Sequence, residues 1–264
     1  MIALTLPAQE GGTFTPPGVN SHLPAIFAIG NFEFTKQMLL VLISVVVIAW
    51  FFLAAARKGQ LVPGRLQFMG EVGYGFVRNS VAKDVIGGKD FVKFVPLLFS
   101  LFFFILINNI YGTIPILQLP SFSHVGGAYL LAAIVYVTWI SVGVKKNGLR
   151  FFKLAVVPSG VPWYILPLVV PIEIISNFVV RPMTHSLRLF ATMLSGHLIV
   201  GISGSGIAFL LAQESVLLKG TSLLVLVGAI AMYMLEALIM VLQAYVFTLL
   251  TAIYIEGAVH ADSH

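Results

Sequence analysis

Apolar residues run in long blocks along this chain, separated by short basic or glycine- and proline-rich stretches. The blocks fall at about 38–56, 94–116, 126–144, 161–212 and 223–256. Several approach or exceed the roughly 20 residues that carry a helix across a bilayer. The pattern predicts an all-α, polytopic membrane protein with five crossings. Span one, Met38 to Ala56, is bracketed by Lys36 and by Arg57-Lys58. Span two starts near Phe94, with Pro96 in its first turn, where the missing N–H is harmless. It runs past Asn108 and Asn109 toward the breakers Gly112, Pro115 and Pro120. Span three, about Gly126 to Val144, ends at Lys145-Lys146.

The rhythm then changes. From Val161 to Ile202 the chain stays apolar, interrupted by Pro167, Pro171 and Pro182 rather than by a hydrophilic loop. A glycine-rich turn (Gly201, Gly204, Gly206) and a partly polar link, Gln213 to Ser222, lead to a last run from Leu223 to Ile255. At about 1.5 Å per residue that last run is about 50 Å long, against a hydrocarbon core of about 30 Å. The reading is two long, strongly tilted C-terminal helices.

Outside the spans, residues 65–83 set Leu66, Met69, Val72/Gly73, Phe76 and Val77 on one helical face. That fits an amphipathic helix at the membrane surface; a solvated loop fits the same pattern. The linker to Pro162, with Arg150 and Lys153, allows a second short interfacial segment. The phenylalanine-rich run 99–104 reads as lipid-facing bulk. Residues 1–37 read as an outer, irregular arm, and 38–264 as one membrane domain. Residues 1–35 hold no lysine or arginine, so the basic start of a secretory signal is missing.

Composition agrees: 59% of residues are hydrophobic and 9% charged, where soluble domains carry about 25% charged residues. The net charge of +5 reports orientation rather than nucleic-acid binding. Loops 57–93 and 145–153 hold eleven lysines and arginines, and the opposite side holds Lys36 and Lys219. The positive-inside rule then sets the N-terminus outside and the C-terminus in the cytoplasm. The chain has no cysteine, so disulfide and thiolate chemistry are excluded. Six histidines offer no metal spacing, and no nucleotide-binding motif is present. No cofactor and no metal are expected.

The chemistry concentrates in Arg181 to Val200. An arginine at membrane depth costs roughly 3 kcal/mol or more. On a helix Arg181, Thr184/His185, Arg188, Thr192 and Ser195 recur at spacings of three and four and form one polar stripe. His197 lies about 180° from Arg188. The small residues Ala191, Ser195 and Gly196 would let another helix come close. The last run has its own stripe: Tyr233, Glu236, Met240, Gln243, Phe247 and Tyr254. Glu173 is a third intramembrane acid. Arg181 reads either as an interfacial side chain or as the partner of Glu173. His185 reads either as a packing contact or as part of a polar path. Arg188 could pair with Glu236 or serve a partner outside the chain.

At SLRLFATMLSGHLIV (186–200) and LEALIMVLQAYVFTLLTAIYI (235–255) the chain strongly resembles subunit a of the F-type ATP synthase, the membrane stator of a rotary motor. The NNIYGTIP stretch (108–115) and the five-crossing layout fit it as well. The resemblance implies that Arg188 is the essential stator arginine, faced by Gln243. It implies an acid–histidine pair, Glu236 with His197, in an outer half-channel; the familiar bacterial pattern has the two residue types exchanged. Thr192 stands where an asparagine often follows the arginine, and Glu173 resembles an acid on the inner, exit side. The implied partners are a rotor ring of c subunits, peripheral-stalk b-type subunits and the lipid bilayer of the inner (plasma) membrane. The implied ion is H⁺, given the Glu–His pair. Two other classes compete. A self-contained secondary transporter would bind an anion at Arg188, but such folds usually show internal repeats, and none is evident. An intramembrane enzyme would need a nucleophile–base or metal set, and none stands out.

Overall fold

Inside a bilayer no water is at hand for backbone N–H and C=O groups, so an apolar block must close its hydrogen bonds within a helix. The computed structural model describes residues 27–29, 32–34, 36–56, 64–88, 90–113, 125–148, 150–157, 164–213 and 215–260. The membrane part is all-α. Its long helices are α1 (Lys36–Ala56), α4 (Phe91–Thr113), α5 (Val125–Asn147), α8 (Arg181–Ala212) and α9 (Val216–Val259). The shorter helices are α2 (Arg65–Phe76), α3 (Asp84–Ile86), α6 (Arg150–Val156) and α7 (Leu166–Ile175). A π-helical segment, Val77–Lys83, joins α2 to α3, and another, Ser176–Val180, joins α7 to α8. Among the described residues, five helical stretches are long and apolar enough to cross a membrane: Met38–Ala56, Phe91–Tyr111, Gly126–Asn147, Leu166–Ala212 and Gly220–Val259.

Several expectations are revised. The arm contains a short antiparallel pair, β1 (Phe27–Ile29) and β2 (Phe32–Phe34), with Phe27 opposite Phe34; residues 1–26 lie outside the described residues. The glycine-rich turn is absent: Gly201, Gly204 and Gly206 are inside α8, which continues to Ala212. Glycine breaks helices partly by exposing backbone to water, and an apolar setting removes that alternative. The link is shorter than expected, because α9 already begins at Val216. At 44 residues, α9 is about 66 Å long, twice the hydrocarbon thickness. Span two begins three residues earlier than expected, at Phe91, and its continuation at 114–124 lies outside the described residues.

The phenylalanine run of α4 is packed rather than lipid-facing. Phe52 of α1 meets Phe99 at 4.5 Å and Phe103 at 4.8 Å between ring centroids, both edge to face. Phe102 is only 7% exposed. The reason lies in α2, which crosses this region on glycines. A Cβ at Gly73 would come within 2.7 Å of the Phe103 ring, and one at Gly70 within 2.9 Å of Ala55. The apolar face expected there divides: Leu66, Met69, Val72 and Phe76 are exposed, while Gly73 and Val77, with Gly70, pack inward. The second interfacial segment is α6, whose Phe151 is buried beside Trp139 of α5.

Helix α4 ties the bundle together. Asn108 donates to the Ser44 hydroxyl of α1 at 2.9 Å. Asn109 donates to the Met240 carbonyl of α9 at 2.8 Å. At its start, Asp90 binds Lys93 at 2.8 Å and Lys146 of α5 at 3.7 Å. The Lys93 hydrogen bond, with both lysine charges, holds the Asp90 carboxyl below its ordinary range.

Candidate functional site

The two long C-terminal helices run antiparallel and meet in rungs. Gly196 faces Glu236: a Cβ on Gly196 would overlap the Glu236 carboxylate. Thr192 reaches the Gln243 side-chain oxygen at 3.5 Å. The His185 ring lies on Phe247, 3.8 Å between centroids. The Arg181 guanidinium lies 5.7 Å from the centre of the Tyr254 ring. Each pair of numbers sums to 432 or 435, so a single register holds from Arg181 to Gly196. Leu189, Met193, Ala244 and Phe247 fill the core between the rungs.

The polar stripe on α8 therefore divides. Arg181, Thr184, Arg188 and Ser195 are exposed, Thr192 is half-buried and His185 is only 3% exposed. Thr192 also donates to the Arg188 carbonyl at 2.7 Å, and Ser195 to the Thr192 carbonyl at 3.1 Å. Their hydroxyls thus turn back onto the helix, as short side chains in membrane helices do. Neither nitrogen of His185 has a hydrogen-bond partner among the described residues. A second ring, Tyr254, meets His185 edge-on at 5.7 Å.

The expected stripe on α9 faces inward. Glu236 is 7% exposed, Met240 1%, Gln243 6% and Phe247 1%. The Glu236 Oε2 and the Gln243 amide nitrogen are buried without a protein partner among the described residues. The backbone of His197 continues α8 directly after Gly196, but its side chain lies outside the described residues. Glu173, on α7, is half-buried.

Among the described residues no ion pair includes Arg181, Arg188, Glu173 or Glu236. The expected alternatives of Arg181 with Glu173, and of Arg188 with Glu236, are not formed. Arg181 instead uses an aromatic face, an interaction worth about 0.5–2 kcal/mol. Sequence reasoning missed Tyr254 as its partner, although a tyrosine on the facing stripe was the available signal. It noted Asn109 without a role. That residue ties α4 to α9 one turn beyond Glu236.

Taken together, the chain is a multi-pass helical membrane protein with charged and amide side chains gathered along one antiparallel helix pair. The profile of the ATP synthase A chain family matches residues 38–256. The chain is 78% identical to an ATP synthase subunit a of Pseudarthrobacter chlorophenolicus, over the whole of both chains. It is 46% identical to one of a Nocardioides species, over 97% of this chain and 96% of that one. It is 41% identical to one of Streptomyces lividans, over 97% and 91%. The chain belongs to the ATP synthase A chain family. That membership makes it a membrane component of the F0 part of the F-type ATP synthase, in proton transport and ATP synthesis.

Proposed function

We propose that this chain is the stator side of the proton path, offering two offset half-channels that Arg188 separates. The observation that carries this is Arg188 itself, an exposed cation midway along the apolar stretch Leu166–Ala212 with no ion pair among the described residues. A charge kept at that depth without a partner among the described residues calls for one outside the chain. The partner is a carboxylate on a rotor ring of c subunits passing along the exposed face of α8.

Protons enter from outside past Glu236 and His197 and neutralise a ring carboxylate, which then turns through lipid. After nearly a full rotation they leave on the inner side near Glu173. Arg188 repels protons between the two routes and draws off the ionised ring carboxylate. Gln243, on the same rung as Thr192, borders the arginine's turn of α8. The buried nitrogens of His185 have no protein partner among the described residues, so their hydrogen bonds fall to the path. Each proton crossing 100 mV releases about 2.3 kcal/mol. The chain's own fold supplies the positions, and the ring supplies the moving acid.

The basic loops orient the protein with its C-terminus in the cytoplasm and residues 1–37 as an outer arm. The setting is the plasma membrane, with b-type peripheral-stalk subunits holding the chain against rotation. The decisive test is Arg188→Ala in the complete complex reconstituted into vesicles. ATP-driven proton pumping is expected to disappear while the complex still copurifies; intact pumping rejects the reading.

A further inference from the structure

The crossing that carries Glu173 and Arg188 is one continuous helical stretch interrupted by a π segment, Ser176–Val180, between the two residues. Its cause can be read from the hydrogen bonds. Pro182 has no N–H to offer. The N–H of Arg181 bonds to Ser176, five residues back, instead of to Asn177. The Asn177 carbonyl is thereby left without either helical donor. It is answered from another helix: the Tyr136 hydroxyl of α5 donates to it at 3.1 Å. The Asn177 side chain, 4% exposed, makes a second tie by donating to the Ala155 carbonyl of α6 at 2.7 Å.

The segment changes which residues share a face. On an unbroken α-helix Glu173 would lie about 80° from Arg181, outside the arc of about 60° that holds Arg181, His185 and Arg188. One residue of slip, from bonding to the fifth rather than the fourth residue back, turns Glu173 by about 100° and brings it to about 20° from Arg181. Burial records the same slip. The less exposed side runs Glu173, Asn177, Pro182, His185, Leu189 and Met193, with spacings of three or four everywhere but the five-residue step from Asn177 to Pro182.

We propose that Tyr136 is a positioning residue for the exit side of the proton path. Its hydroxyl supplies the donor that Pro182 lacks, holds the π turn in register, and so keeps Glu173 on the face of the arginine stripe. The inference rests on the exit role proposed for Glu173.

The experiment is a double-mutant cycle in the whole reconstituted complex, with Tyr136→Phe, Glu173→Gln and both together, reading ATP-driven pumping and copurification. Tyr136→Phe keeps the ring packed against Trp139 and removes only the hydroxyl. It is expected to slow pumping about three- to tenfold beside normal Glu173, and by less than about twofold beside Glu173→Gln. Equal fold losses in both backgrounds overturn the inference, since the hydroxyl then acts on general stability. So does a Tyr136→Phe complex that pumps normally. If Glu173→Gln alone leaves pumping unchanged, the exit role of Glu173 fails and the inference falls with it.

Discussion

Gly196 and Glu236 occupy the same rung of the α8–α9 contact, the carboxylate lying where a Cβ on Gly196 would stand. The close approach needs a residue without a side chain on one helix and a long acid on the other. Gly196→Ala is therefore expected to cost about 1–3 kcal/mol of packing or to push the acid off its site. Pumping in reconstituted vesicles should fall more than the yield of assembled complex. Glu236→Asp, shorter by one methylene, should restore part of the loss in the Gly196→Ala background. Normal pumping by Gly196→Ala alone would show that the rung is looser than described.

His185 separates packing from proton chemistry. Phenylalanine can fill its slot against Phe247 and Tyr254, but it carries no nitrogen. His185→Phe is expected to assemble normally and pump several-fold more slowly, whereas His185→Lys, a charge buried among rings, should fail to assemble. A His185→Phe complex with full pumping would remove the residue from the path and leave it as core.

Arg181 and Tyr254 should behave as a pair. Arg181→Gln and Tyr254→Leu are each expected to lower the stability of the complex by about 0.5–2 kcal/mol. The double variant should lose less than the sum, as read from thermal unfolding in detergent. Strict additivity would mean that the guanidinium gains nothing from the ring.

Asn109→Leu removes the bond to the Met240 carbonyl. Hydrogen bonds between membrane helices average about 0.6 kcal/mol, so the stability change should be small. The effect on pumping should be larger, because the bond lies one turn from Glu236. Equal, slight effects on both would make Asn109 an ordinary helix tie.

Much of this was legible in the sequence because membrane helices follow from length and hydropathy alone, and the α9 stripe from a seven-residue spacing. Glu236 and Gln243 do face inward together. What resisted reading depended on context. Gly201, Gly204 and Gly206 look like a turn in water and are helical here. Phe99 to Phe104 look like lipid bulk until the glycines of α2 bring a second helix against them. Simple helical phase grouped His185 with the exposed stripe, though it lies at the stripe's edge, where Phe247 covers it. Nothing local to Ser176–Val180 announces a π turn; it follows from Pro182 together with a hydroxyl 41 residues away in sequence.

Asn108 and Asn109 are neighbours in sequence, yet they hold helices on different sides of α4: Ser44 on α1 and the Met240 carbonyl on α9. Adjacent positions on a helix diverge by about 100°, so the two amides act like a key with two teeth. A sideways load on α9 would be shared with α4 and, through it, with α1. Inserting or deleting one residue on either side of this pair within α4 would rotate both teeth out of their slots. Two consecutive side chains thus couple α1 and α9 through α4, in addition to the packing between the helices.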